Sequence, residues 1–326
     1  MKSLARAAAR LMLATAVCWA AASAHADGTV GTSLPANFPV TLDASLGTPL
    51  IGFGAAGSVT RTPVVFVHGN NDTPYPTACN PFGRVQAFAQ FLADHGYALS
   101  ELWAVGYQGD QCDLLTDQTH RSGPAHTTSA NVPDVRAFVQ AVLRYTGARQ
   151  VDVVAHSLGS VIVREWLRRH PEEGRSVRRF VAIDGANHGI VNCSPNPLNY
   201  WQAPSLGGFT PASAVCQELG SPNTPFLQRL NRGQEAPGAG KDTLVIRNAD
   251  TSFVYFSKQD GVLAAVPAED AFGQPTDFSR SASLKGAREL GLTGQGIYDG
   301  ILATTHLGIL NSPDTWAATL VFLRER

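Results

Sequence analysis

The chain has 326 residues and a formal net charge of −1 at pH 7, with 44% hydrophobic and 16% charged residues. That balance excludes a disordered or collagen-like chain and leaves no basic footprint for nucleic acid. The length is ample for a buried core that needs neither metals nor dense disulfides to fold.

Lys2, Arg6 and Arg10 precede an apolar stretch from Leu11 to about Ala24, which closes in Ala24-His25-Ala26. A membrane anchor needs ~20 apolar residues, so this shorter run predicts a secretory signal peptide over residues 1–26. Residues 27–326 are expected to form a single domain, secreted or periplasmic, with no integral membrane segment and a cap-like insertion at about 190–240. Cys18 leaves with the signal, and Cys79, Cys112, Cys193 and Cys216 remain. An even set in an exported chain predicts two disulfides. Three pairings are open to four cysteines, and sequential pairing would staple two loop-rich stretches, 79–112 and 193–216.

Pro63 to Val67 is a short β-branched run suited to a parallel strand buried on both faces, and a glycine-bearing loop follows it. Val85, Phe88, Phe91 and Leu92 recur at helical spacing within 83–95, and 101–107 is again extended. A second helix is expected over 132–146, with Pro133 near its start and Gly147 after its end. Val151 to Ala155 reads as a strand, His156 to Gly159 as a tight turn, and the helix that follows runs to His170. Another strand is expected at 178–183. From 185 to 240 the pattern dissolves into Pro, Gly, Asn and scattered aromatics, among them Trp201, Leu206, Phe209, Phe226 and Leu227. A strand resumes at 243–247, residues 304–310 read as a loop, and a last helix starts after Ser312-Pro313 with Trp316, Ala317, Leu320 and Val321 inward. This alternation is βαβ rhythm, a mostly parallel sheet with helices on both faces.

Ser157 stands between a strand and a helix, on the sharp turn that exposes a nucleophilic hydroxyl. Small residues, Ala155 and Gly159, flank it, with alanine where the usual pattern has its first glycine. A serine needs a base, and an imidazole pKa matches the task. Chain order in such folds runs serine, acid, histidine. His188 follows Ser157 too closely to leave room for a strand-borne acid, which selects His306. The acid belongs on a loop after a late strand: Asp260 fits best, then Asp250, then Asp184. Backbone N–H groups should receive the developing oxyanion, one from Leu158 and one from Asn70 in the loop after the first core strand. His68 is expected to brace that loop and His156 to pack beside the serine. No Cys-x-x-Cys or His-x-x-x-His spacing points to zinc, and no cofactor is expected.

Pro63 to Asn70, Ala155 to Gly159, Asp260-Gly-Val and His306-Leu-Gly-Ile-Leu together resemble the class 2 lipases of the α/β-hydrolase fold. The His-Gly-Asn loop and Ala-His-Ser-x-Gly elbow are also similar to certain secreted poly(3-hydroxybutyrate) depolymerases. The resemblance spans about residues 60–323. It implies an α/β-hydrolase domain acting on an ester, whether lipid, short-chain ester or polyester, through an acyl-enzyme on Ser157. The 185–240 excursion departs from the minimal lidless lipases, and in such a family an insert of this kind shapes the acyl pocket.

Overall fold

The structure, a computed structural model, describes residues 28–39, 50–81, 83–112, 126–195, 209–237, 242–249, 268–293 and 305–325. The expected signal segment, residues 1–26, and Trp201 and Leu206 of the 185–240 stretch lie outside those residues.

The strands are β1 (Ile51–Phe53), β2 (Val64–Val67), β3 (Leu102–Gly106), β4 (Val151–His156), β5 (Val177–Ile183), β6 (Thr243–Asn248), β7 (Ala268–Glu269), β8 (Pro275–Thr276) and β9 (Arg288–Leu292). Seven of them form one sheet in the order β1-β3-β2-β4-β5-β6-β9, and β7 pairs with β8 apart from it. Only β1 runs antiparallel in the large sheet; every other neighbouring pair is parallel. The helices are α1 (Val85–Asp94), α2 (Thr128–Thr146), α3 (Leu158–Arg169), α4 (Ala214–Leu219), α5 (Pro225–Leu230), α6 (Thr305–Leu310) and α7 (Pro313–Arg324).

The central strands β2, β3 and β4 are buried on both faces because they carry apolar residues at successive positions, whereas edge strand β9 is exposed or half-buried along its length. Val65, Val67, Val105, Val153, Ala155 and Val245 face one core, with Val135, Phe138 and Val142 of α2 and Val161, Ile162 and Trp166 of α3. Val64, Phe66, Ala104, Val154, Val181 and Ile246 face the other, with Phe88 and Leu92 of α1 and Leu320 and Leu323 of α7. This is the α/β-hydrolase architecture, and parallel strands covered on both sides explain the near-continuous hydrophobic runs.

Several boundaries move. Helix α2 begins a turn earlier than expected, since Thr127 caps it by accepting the Ala130 N–H at 3.2 Å, and it carries Pro133 as its sixth residue, where proline removes the bond to the Ser129 carbonyl and Arg169 Nη1 approaches that oxygen at 3.5 Å instead. Residues 305–310 are helical rather than a loop. On α7, Val321 is 64% exposed and Ala317 is exposed as well, so two of the four expected inward residues face out. Thr315, Thr319, Phe322 and Leu323 take the inner face instead. Phe322 turns inward beneath two cations, with Arg179 and Arg288 stacked 5.2 and 5.3 Å from its ring centre.

Both expected disulfides are present, Cys79 with Cys112 and Cys193 with Cys216, with Cα atoms 4.9 and 5.5 Å apart. The described part of the 185–240 stretch is not structureless: α4 and α5 bury Val215, Leu219, Phe226, Leu227 and Leu230 against the α2/α3 side of the core, together with Phe209. Among the described residues, no helix is long and apolar enough to cross a membrane.

Candidate active site

Strand β4 ends at His156 and α3 begins at Leu158, so Ser157 alone turns the chain. Its backbone sits at φ 55° and ψ −125°, a conformation that side-chain-bearing residues adopt only when their surroundings impose it. One such tie is the Ser157 N–H, which donates to the Ile183 carbonyl at 3.0 Å. The small residue at 159 has a steric cause: a Cβ there would lie 2.4 Å from the His68 oxygen and 2.6 Å from that of Val67. A Cβ on Gly69 would likewise lie 2.9 Å from the Ser157 Cβ. The loop after β2 therefore passes directly against the serine.

His306, on the first turn of α6, is 5% exposed, and its Nδ1 lies 2.8 Å from Asp184 Oδ2. Asp184 follows β5 at once, at φ 45°, and its N–H donates to the Ile246 carbonyl at 2.8 Å. Its carboxylate also accepts the Asn248 backbone N–H at 3.2 Å and the Asn248 Nδ2 at 2.9 Å. A carboxylate only accepts, so the His306 proton resides on Nδ1 and Nε2 is the basic nitrogen.

Asp260 and Asp250, the two carboxylates that the sequence ranks first, lie outside the described residues. Asp184, ranked third, is the one on His306. Spacing alone hides this, because the placement depends on β5 and β6 being neighbours whose ends meet through Asn248. His188 is engaged elsewhere, its Nε2 3.3 Å from Glu235 Oε2. His170, a further histidine after Ser157, closes α3 with Nδ1 3.5 Å from Glu172. His170, Glu172 and Glu173 form the one group among the described residues close enough to hold a metal ion, but Glu173 is already taken by a bidentate pair with Arg136.

His156 reaches across to the base. Its Nε2 lies 2.9 Å from the His306 carbonyl oxygen and the two rings are 4.5 Å apart. Since a carbonyl cannot donate, Nε2 carries the proton. Burial, reinforced by the neighbouring His306, holds the His156 pKa well below the ordinary imidazole value. His68 occupies the bracing place expected of it: Nδ1 is 2.7 Å from the Gly69 oxygen, the ring stacks on Tyr107 at 4.2 Å, and the Tyr107 hydroxyl donates to the His68 carbonyl at 2.9 Å.

Asn70 lies in the loop against Ser157, and Leu158 opens α3 at 2% exposure. Two side chains that sequence reasoning missed hold Asn70: Gln108 Nε2 and His126 Nδ1 both approach its Oδ1 at 2.9 Å. Their polar side chains at buried positions were the available signal. Asp72, two residues on, is pushed up to about 7 by burial, against the lowering effects of the Thr73 N–H and of Arg84.

A family model for lipase (class 2) matches residues 61–262. The chain belongs to the class 2 lipase family. The matched span holds Asn70, Ser157, Leu158, Asp184 and Asp260; His306 lies beyond it. Among solved structures, the chain is similar to Aspergillus fumigatus lipase B at 20% identity, covering 82% of this chain and 55% of that one, with a TM-score of 0.46. Bacillus licheniformis lipase BlEst2 in mature form matches at 15% identity over 84% and 97%, with a TM-score of 0.49. Est1E from Butyrivibrio proteoclasticus matches at 12% over 91% and 100%, with a TM-score of 0.47. The chain thus spans about half the length of the fungal lipase chain. Membership of the class 2 lipases supports hydrolysis of carboxylic esters.

Proposed function

We propose that the protein is a serine carboxylester hydrolase working through an acyl-enzyme, with Ser157 as nucleophile, His306 as base and Asp184 as the carboxylate that orients it. The observation that carries this reading is the buried His306–Asp184 pair, bonded through the His306 carbonyl to His156, the residue that immediately precedes a serine held on a strained strand-to-helix turn.

Ser157 Oγ gives its proton to His306 Nε2 as it bonds to the ester carbonyl carbon. The carbonyl electron pair moves to oxygen, and the Asn70 and Leu158 N–H groups receive that oxyanion. Collapse breaks the bond to the leaving alkoxide, which takes the proton from His306. Water then repeats the sequence on the acyl-serine: His306 removes its proton, the acid is released, and Ser157 recovers its hydrogen. Asp184 stabilises the imidazolium in both halves and stays ionised throughout. Protein groups and water account for every proton and electron pair.

The substrate class is an ester of a lipid, a short-chain acid or a polyester. An acyltransferase would run the same first half and pass the acyl group to an alcohol. Export to an oxidising compartment is supported by the basic-apolar-small pattern of residues 1–26 and by the two disulfides. Purified protein should be assayed on p-nitrophenyl esters of graded length, triolein emulsion and poly(3-hydroxybutyrate) film, with and without added alcohol, beside Ser157→Ala. Free acid from at least one ester, lost in the variant, is expected. Activity retained in the variant would refute the reading.

A further inference from the structure

The backbone after Asn70 is gripped by side chains that no part of the chemistry above uses. Asn71 adopts φ 56°, in the left-handed region that asparagine enters more readily than other residues bearing a side chain. Both of its backbone groups are gripped from outside the loop. Its N–H donates to Gln108 Oε1 at 2.9 Å, and its carbonyl accepts from Asn80 Nδ2 at 3.0 Å.

The hydrogen-bond directions around Gln108 follow from that first contact. A backbone N–H can only donate, so Gln108 presents Oε1 to Asn71 and its Nε2 must face Asn70. Asn70 must then present Oδ1, and His126, at 2.9 Å from the same oxygen, must carry its proton on Nδ1. Gln108 and His126 are 1% and 0% exposed, so water does not compete for these bonds. Gln108 sits just past the end of β3, whose next-door residue Tyr107 braces His68. The turn that carries Gln108 is joined to the Asn80 segment by the Cys79–Cys112 disulfide and by the Thr77 hydroxyl, which donates to the Asp110 carbonyl at 2.8 Å and accepts the Asn80 N–H at 2.9 Å.

We infer that Gln108 and Asn80 are positioning residues for the oxyanion: by holding the Asn70 side chain and both backbone groups of Asn71 they fix the loop that carries the Asn70 N–H, so that this donor is aimed at the tetrahedral intermediate before substrate arrives. This rests on the reading of Ser157 as nucleophile. Preorganised donors owe their effect to being already in place, and losing one such donor costs ~10²–10³ in kcat; misaiming it should cost somewhat less.

Gln108→Met keeps the shape and removes the side-chain hydrogen bonds to Asn70 and Asn71, whereas Asn80→Ala frees the opposite side of Asn71. Each should lower kcat on a p-nitrophenyl ester about tenfold to a hundredfold with KM within about twofold. Affinity for a boronic acid, which forms a tetrahedral adduct on serine, should fall by the same factor as kcat/KM. All rates are read at least 15 °C below each variant's own Tm, and if one variant fails to fold the other carries the test. A lowered Tm with kcat and boronate affinity unchanged would overturn the inference and leave the two residues structural. An inactive wild-type protein, or an active Ser157→Ala, would instead sink the reading it rests on.

Discussion

Replacing Asp184 with asparagine keeps the shape against His306 Nδ1 but offers an amide that favours the wrong imidazole tautomer. The expected result for Asp184→Asn is a fall in kcat of ~10⁴, against ~10⁶ for Ser157→Ala or His306→Ala. Asp260→Asn should be mild, and the reverse pattern would make the Asp184 contact structural and restore Asp260 as the acid. Asp72 gives a separate signature, in stability. Its folded pKa of about 7 lies above the ordinary 3.8, so between those values the native state holds more protons than the unfolded one and stability falls as pH rises. Asp72→Asn should therefore raise Tm at pH 8 by about 5 °C and leave it nearly unchanged at pH 4, measured by differential scanning fluorimetry. An equal shift at both pH values would show that Asp72 is not held protonated by the fold. The strand-turn-helix setting of Ser157 was legible in the local pattern. The pairing of Asp184 with His306 was not, because it depends on strand adjacency, which no local pattern records.

Periodicity located most elements because the central strands are buried on both faces and α1, α2 and α3 each present an apolar stripe to one of them. It failed where partners rather than propensity set the face. The inward turn of Phe322 beneath Arg179 and Arg288 rotates α7 away from the expected Val321 stripe. The short helices α4 and α5 were lost among Pro and Gly because six residues apiece carry little periodic signal. Their packing alters what Phe209 should do. A cap residue facing substrate would change acyl-length preference when truncated, but Phe209 is 5% exposed within the α2/α3 core. Phe209→Ala should cost ~3 to 5 kcal/mol, about 10 °C in Tm, with the acyl-length profile kept. Val321→Ala, at an exposed position, should move Tm by about 1 °C or less. A changed profile without a fall in Tm would return Phe209 to the acyl pocket.

Across the whole molecule, the C-terminal ends of β2, β4, β5 and β6 bring Asn70, Ser157, Asp184 and Asn248 to one edge of the sheet, where open α/β sheets place their ligands. The Cys79–Cys112 disulfide joins the segments that reach this edge through Gln108 and Asn80, while Cys193–Cys216 ties α4 to the segment after β5. Each should stabilise by roughly 3 to 4 kcal/mol in the chain-entropy model, so serine pairs at either bridge should lower Tm by about 10 °C. Only the Cys79/Cys112 pair should also lower kcat, since that bridge joins the segments gripping Asn71. Equal kinetic losses from both would indicate general loosening. Mapping of a fluorophosphonate adduct by mass spectrometry tests the central claim most directly. A single adduct on the Ser157 peptide of the wild-type protein, at least a thousandfold slower to form in His306→Ala, is the predicted result. An adduct on another residue, or labelling undiminished in His306→Ala, would contradict it.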